Sequence, residues 1–340
     1  MQIQGFTRLC ILATILAITV SVFGSFVRLS HAGLSCPDWP GCYGQIVVPQ
    51  DPTEIAQANS SFPQRPVDAP RAWKEMGHRY LAGALGLLIV GLAALAWRRR
   101  YQPGQRIVLP FLLVLLVVAQ AALGMWTVTL LLKPIIVTAH LLGGLTTTAL
   151  LWWMSLRHGG LFTGYARPLS DHDGARLGPW VLLGIAVLYV QLFLGGWVST
   201  NYAALACADF PLCQGGLLPA LDFKNALTPW HQLGIDYEGG ILETKARVTI
   251  HLMHRLGALV VFLYLGALSL TMMRHNRDRR LKTVGIVLLF VLIAQIALGI
   301  ANVLFSLPLP VAVAHNAGAV ALLMTLVLTY HVIRPAPIVI

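Results

Sequence analysis

Glu75-Met76-Gly77-His78-Arg79 opens one long apolar run, and Thr249-Ile250-His251-Leu252-Met253-His254-Arg255 opens another. The His-Arg pairs are offset by 254 − 78 = 176 positions. A second match follows. Gln120-Ala121-Ala122-Leu123-Gly124 leads to His140 and Gln295-Ile296-Ala297-Leu298-Gly299 leads to His315, with an offset of 175 by the same subtraction. The chain therefore reads as a duplication, with one His-Arg and one lone histidine in each half.

Composition sets the class. With 57% hydrophobic and 11% charged residues, the sequence describes a polytopic membrane protein rather than a soluble enzyme. The net charge of +11 belongs to membrane topology and does not imply nucleic-acid binding. Apolar stretches near the roughly 20 residues needed to span a bilayer run at about 9–27, 78–97, 107–130, 135–156, 179–199, 249–272, 283–305 and 311–333. They predict an all-α fold of eight spans in two four-helix halves, 1–165 and 166–340. An even number of spans per half makes the repeat parallel.

The short connections 98–106, 157–178 and 274–282 hold most of the positive charge, including Arg98, Arg99, Arg100, Arg106, Arg157, Arg167, Arg176, Arg274, Arg277, Arg279, Arg280 and Lys282. Positive charge on that side predicts cytoplasmic loops and termini, with the long segments 28–74 and 200–248 facing outward. Arg8 precedes the first span, but its apolar run continues without a small-residue cleavage pattern, so it reads as a retained helix.

Four of the five cysteines repeat. Cys36-Pro37-Asp38-Trp39-Pro40-Gly41-Cys42 and Cys207-Ala208-Asp209-Phe210-Pro211-Leu212-Cys213 are both C-x5-C, early in the outward segments. In an oxidising space such pairs read as intraloop disulfides; a dithiol that passes electrons is the sharper alternative. Cys10 reads as a buried thiol.

The predicted spans place the four histidines roughly 8–10 Å below the outer ends of their helices. A lone histidine on an apolar helix is commonly a packed core residue. Four at one depth, in repeated positions where ionisable groups are costly, point instead to ligands. Facing imidazoles across a bundle suit the iron of a flat haem, whereas zinc asks for a compact tetrahedral set. The pairs are His78 with His140 and His254 with His315. Arg79 and Arg255 follow the first member of each pair, either as cations for haem propionates or as interfacial arginines with their heads in water.

The halves differ at one position. Glu75 aligns with His251, three residues before His78 and His254 respectively. That spacing puts Glu75 on the His78 face about one turn away, where a carboxylate serves as a general base or stabilises a cation. The bland alternative is an interfacial ion pair with Lys74 or Arg71. A carboxylate in one half alone suggests two unequal haem sites, one for chemistry and one for electrons.

These residues, with Gly33-Leu34-Ser35-Cys36-Pro37-Asp38-Trp39-Pro40, resemble the haem A synthase family over nearly 300 positions. The resemblance implies an enzyme that oxidises the C8 methyl of haem O to a formyl group by successive hydroxylations, giving haem A for terminal oxidases. It implies that His78 and His140 serve the substrate haem, that His254 and His315 ligate a haem b cofactor, and that Glu75 is the catalytic carboxylate. By the same resemblance Cys36 and Cys42 form the first-loop pair linked to activity, and Cys207–Cys213 the second-loop disulfide. The implied partners are haem O synthase, a protohaem farnesyltransferase, as substrate source, terminal-oxidase assembly, an external electron acceptor, and lipid of a bacterial cytoplasmic membrane with the haem sites toward the periplasm. A bis-histidine dihaem cytochrome b that transfers electrons, or a haem carrier, would use the same histidines without needing Glu75. His31 departs from the family pattern and reads as surface variation. Residues 50–68 read as an irregular outer loop, and Tyr237-Glu238-Gly239-Gly240 has no assigned role.

Overall fold

The computed structural model describes residues 2–102, 105–159, 171–217, 219–230, 233–274 and 278–334. Arg167, Arg277 and the expected boundary between halves at 165/166 lie outside the described residues. The elements are helices: α1 (Gln2–Leu29), α2 (Pro52–Ser61), α3 (Ala69–Arg98), α4 (Val108–Thr129), α5 (Pro134–Gly159), α6 (Asp171–Thr200), α7 (Phe223–Ala226), α8 (Thr244–Arg274), α9 (Arg279–Leu304) and α10 (Leu309–Ile333). Among the described residues, eight of these are long and apolar enough to cross a membrane, which makes this a multi-pass membrane protein.

Local chemistry sets the helix ends. Asp68 caps α3 by accepting from the Arg71 N–H at 3.1 Å, and Pro70 fits the first turn, where no amide partner is needed. Because of that cap α3 starts nine residues before the apolar run at 78, and α8 likewise starts at Thr244 rather than 249. Glu75 and His251 therefore sit inside helices rather than at their mouths. His78 and His254 lie roughly two and a half to three turns in, and His140 and His315 a little under two turns into α5 and α10.

In space α1, α3, α4 and α5 pack as one ring, and α6, α8, α9 and α10 as another. The rings meet where α5 touches α6 and α10 and where α1 touches α10. Each ring has its own apolar core: Ile89, Leu92, Leu113 and Leu151 in the first, Leu265, Leu281, Leu288 and Leu326 in the second. Outward faces are apolar too, with Leu87 77%, Leu115 66% and Phe290 72% exposed, as lipid contact requires. Hydroxyls and an indole N–H stitch helices together inside: Thr14 to Ser155 at 2.9 Å, Ser21 to Thr148 at 3.2 Å, and Trp152 Nε1 to the Met324 carbonyl at 3.1 Å.

The turns correspond between halves. Non-glycine residues with left-handed φ occur at His31 (54°) and Tyr202 (53°), Tyr43 (57°) and Gln214 (55°), Leu131 (50°) and Ser306 (55°), and Leu132 (60°) and Leu307 (60°). Each pair is separated by the offset of the sequence repeat around it.

The outer segments are ordered against one another. Residues 50–68 contain α2, contrary to the irregular loop expected from composition; Asp51 caps it by accepting from the Thr53 N–H at 2.8 Å, and Pro52 opens it. Arg65, just beyond α2, pairs with Asp236 at 2.5 Å and Glu238 at 2.6 Å in the second segment. Tyr237 is buried with Leu34, Val128 and Leu132, and its N–H reaches the Leu131 carbonyl at 3.1 Å. Lys133 places Nζ 3.4 Å from the Trp230 ring centre. The second segment thus lies over the outer end of the first ring, which gives Tyr237-Glu238-Gly239-Gly240 a covering role. His31 is exposed yet stacks on Tyr202 with centroids 6.2 Å apart, so it joins the halves rather than merely decorating the surface.

Candidate functional site

Each of the four histidines packs against a glycine of a neighbouring helix. A Cβ at Gly24 would stand 2.8 Å from His78 Cε1, at Gly124 3.3 Å from His140, at Gly195 3.2 Å from His254 and at Gly299 3.1 Å from His315. Any larger residue would push the ring aside, so the glycines fix where the imidazoles sit. His78 lies within electrostatic reach of His140, and His254 of His315. The Nδ1 atoms of His78, His140 and His315 are buried without a hydrogen-bond partner.

Glutamines complete three of the four seats. Gln120, Gln191 and Gln295 each crowd the glycine three positions after a histidine: Gly143, Gly257 and Gly318. Gln191 Nε2 lies 3.0 Å from His254 Nδ1 and Gln295 Nε2 3.4 Å from His315 Nε2. The Oε1 atoms of Gln191 and Gln295 are buried and unpartnered. Gln191 Nε2 also donates to the His254 backbone carbonyl at 3.0 Å, which fixes the amide with its nitrogen toward His254. The Gln-x3-Gly pattern is visible in the sequence at 120–124, 191–195 and 295–299, but its role emerges only when the helices pair. At the corresponding place before Gly24 the chain has Val20, so the His78 seat is the odd one.

Both cysteine pairs are disulfides, Cys36–Cys42 and Cys207–Cys213. Inside each ring an aspartate ties the turn. Asp38 accepts from the N–H groups of Tyr43 and Gly44, each at 2.7 Å, and Asp209 from those of Gln214 and Gly215, each at 2.8 Å. Those bonds, led by Gly215, hold the Asp209 carboxyl below the usual carboxylate range. Cys10 is buried and free.

Beneath the first ring Glu75 is 5% exposed. Its Oε2 accepts from the Cys36 N–H at 2.9 Å and its Oε1 pairs with Arg79 Nη2 at 2.5 Å. Neither cation considered from sequence is its partner: Arg71 pairs with Asp68 at 3.3 Å, and Lys74 lies over the Phe26 ring. Arg79 Nη1 donates to the carbonyls of Asp38 at 2.9 Å, Pro40 at 3.3 Å, and Gly41. Burial, followed by the charge of Glu75, pushes the nearby Tyr43 phenol up to about 12.

Beneath the second ring His251 takes the place of Glu75. Its Nδ1 accepts from the Cys207 N–H at 3.2 Å, and Arg255 Nε stands 3.3 Å from its Nε2. Arg255 also donates to the carbonyls of Cys207, Asp209 and Leu212, each at 2.8 Å. Arg79 and Arg255 thus tie helix to loop, a role reached through tertiary contact and invisible in the sequence.

A cavity of about 270 Å³ opens beside the first ring, between the two outer segments, lined by His31, Ser35, Tyr43, Arg65, Arg71 and Glu238 among others. Among the described residues no three of His, Cys, Asp and Glu gather closely enough to hold a bare metal ion.

Fold and site together define a polytopic helical membrane protein with glycine-seated histidine pairs beside disulfide-closed loops. Comparison with known sequences narrows that class. Residues 7–327 match the family described as cytochrome oxidase assembly protein (COX15-CtaA), and the chain belongs to that family. It is 42% identical to the Heme A synthase of Shewanella oneidensis, covering 96% of this chain and 95% of that one. It is 30% identical to the Heme A synthase of Methylobacterium radiotolerans, covering 93% of this chain and 86% of the other. A third protein of that name, from Halalkalibacterium halodurans, is 26% identical with 89% of each chain covered.

Proposed function

We propose that the protein is a haem A synthase, an enzyme of haem A biosynthesis that serves cytochrome oxidase assembly. The observation that carries this reading is the match to proteins of that name along almost the whole chain. More finely, it is an oxidoreductase that converts the C8 methyl of haem O to a formyl group. Per haem the conversion takes up one water and releases four electrons and four protons, the electrons passing to an external acceptor.

The residues present fit two tetrapyrroles. Glycines where a Cβ would strike the ring, and ring nitrogens buried without partners, suit imidazoles held for axial ligation, with each pair in one four-helix ring. In this reading 1–165 forms the substrate half, where His78 and His140 hold haem O. The half 166–340 uses His254 and His315 for haem b, which supplies one-electron transfer when bound. Gln191 fixes His254 through its amide nitrogen, which meets Nδ1 and donates to the His254 backbone carbonyl. Glu75 faces the substrate's reacting edge, where its carboxylate accepts a proton from the methyl carbon and opposes the positive charge that develops there. Arg79 and Arg255, whose N–H groups hold the loops, would supply positive charge for the haem carboxylates. Haem O synthase supplies the substrate. The termini lie in the cytoplasm and the disulfide loops face the periplasm of a bacterial inner membrane, which suits both the loop charges and the bonded cysteines.

The test is production of the full chain in cells that make haem O but lack their own synthase activity, followed by chromatography and mass analysis of extracted haems. Haem A, or its hydroxylated precursor, is the expected product. Haem O left unchanged beside haem b would overturn the enzyme and favour a dihaem electron-transfer protein.

A further inference from the structure

Glu75 has both carboxylate oxygens held, and everything that holds them belongs to one loop or is anchored to it. Oε2 receives the N–H of Cys36, the first residue of the disulfide ring. Oε1 receives Arg79, whose other terminal nitrogen is bonded to the carbonyls of Asp38, Pro40 and Gly41 inside the same ring. The ring is stiffened by the Cys36–Cys42 bond and by Asp38, which takes the N–H groups of Tyr43 and Gly44. A carboxylate on a three-bond stem ordinarily samples several rotamers; one gripped at both oxygens keeps one.

The second half separates this grip from the group gripped. His251 accepts the Cys207 N–H at Nδ1 and has Arg255 Nε 3.3 Å from its Nε2, and Arg255 is anchored on the carbonyls of Cys207, Asp209 and Leu212. The same seat therefore accepts an imidazole in one half and a carboxylate in the other. A device built only to neutralise Glu75 would have no reason to keep its arginine and its loop bonds opposite a histidine.

We propose that Arg79 and the Cys36–Cys42 ring act as the positioning device for Glu75, so that the disulfide serves first-half chemistry by geometry. This rests on the role given to Glu75 above. Opening the disulfide, or removing the planar fork of Arg79, leaves the carboxylate in place chemically but no longer aimed.

The test uses the full-length protein in lipid nanodiscs with wild type, Arg79→Lys, Arg79→Ala, Glu75→Gln and the double variant Cys36→Ser/Cys42→Ser. Two signals are read: the haem A to haem O ratio after production with a haem O source, and the infrared carboxylate band that vanishes in Glu75→Gln. Arg79→Lys keeps the charge but cannot bridge a carboxylate and several carbonyls at once. It is expected to lower the ratio at least tenfold, to shift the Glu75 band, and to leave bound haem within twofold of wild type. The double cysteine variant is expected to do the same. If Arg79→Ala does not fold, opening the disulfide of folded wild type with a phosphine, verified by thiol mass labelling, must produce the same band shift. Wild-type conversion with an unmoved band in Arg79→Lys would overturn the proposal, as would haem loss with an unmoved band in Arg79→Ala. Should wild type fail to convert haem O, the reading of the enzyme falls, while the band still reports whether ring and arginine position Glu75.

Discussion

The two disulfide loops are built alike and hold different things. Beneath Cys36–Cys42 sits a carboxylate, and beneath Cys207–Cys213 an imidazole, each bonded to the first cysteine's N–H and each beside an arginine anchored on loop carbonyls. A duplicated scaffold with one exchanged group localises a function more sharply than an isolated residue does. The aligned arginines, aspartates and left-handed turns belong to the shared construction, and Glu75 belongs to one half alone. The difference teaches that the scaffold's task is aiming, and that the aimed group sets what each half does.

The sharpest break of that comparison is Glu75→Gln against His251→Gln. Loss of a positioned acid–base group costs about 10²–10⁴-fold. Glu75→Gln is expected to lower haem O conversion by at least about 100-fold while haem b stays bound. His251→Gln keeps an oxygen able to accept the Cys207 N–H and is expected to cost less than about tenfold by the same measure. Equal losses would dissolve the asymmetry.

Next in size is the histidine seat. Gly24→Ala sets a Cβ 2.8 Å from His78, whereas Gly86→Ala meets only Val117 at 3.8 Å. The first is expected to cost about 1–3 kcal/mol in stability through overpacking and to deplete haem from the first half. The second leaves both unchanged. Thermal unfolding and pigment content measure the difference.

A smaller effect is expected at the strap between the outer segments. Arg65→Ala removes pairs with Asp236 and Glu238, but the Arg65 side chain is 27% exposed, so the loss is about 1 kcal/mol or less and shrinks with added salt. Limited proteolysis of residues 233–243, faster in the variant, reads it directly.

The smallest lies in acid. Asp209, outside the spans, has its carboxyl held below the usual range by the Gly215 and Gln214 N–H groups. Its folded pKa is depressed, so the stabilisation is complete above the unfolded pKa of about 3.9 and is lost as pH falls through the lower folded value. Asp209→Asn is expected to lower the unfolding midpoint slightly at neutral pH and to flatten its acid limb below pH 4, where the two proteins converge.

Hydropathy and repeat spacing placed the eight spans, because length and apolarity alone decide what crosses a bilayer. The four histidines and both cysteine pairs were legible for a related reason: ionisable groups in apolar runs and repeated C-x5-C stand out against their surroundings. Composition failed where order comes from a cap or a distant partner. Residues 50–68 looked irregular, yet Asp51 and Pro52 start a helix there. The bonds of Arg79 to loop carbonyls were equally hidden, because those partners lie about 40 positions upstream and are joined to it only by folding. Three of the four glycines opposite the histidines, Gly124, Gly195 and Gly299, stand in the sequence as the ends of Gln-x3-Gly repeats. Their purpose depends on which helices become neighbours, and spacing along one strand of sequence does not state that.

The measurement that tests the division of labour most directly is quantitative haem analysis of four purified variants made with a haem O source: His78→Ala, His140→Ala, His254→Ala and His315→Ala. The account predicts that the first two lose haem O and haem A while keeping haem b, and that the last two lose haem b while haem O remains bound and unconverted. Loss of the same haem from all four, or of haem b from the first pair, would contradict it.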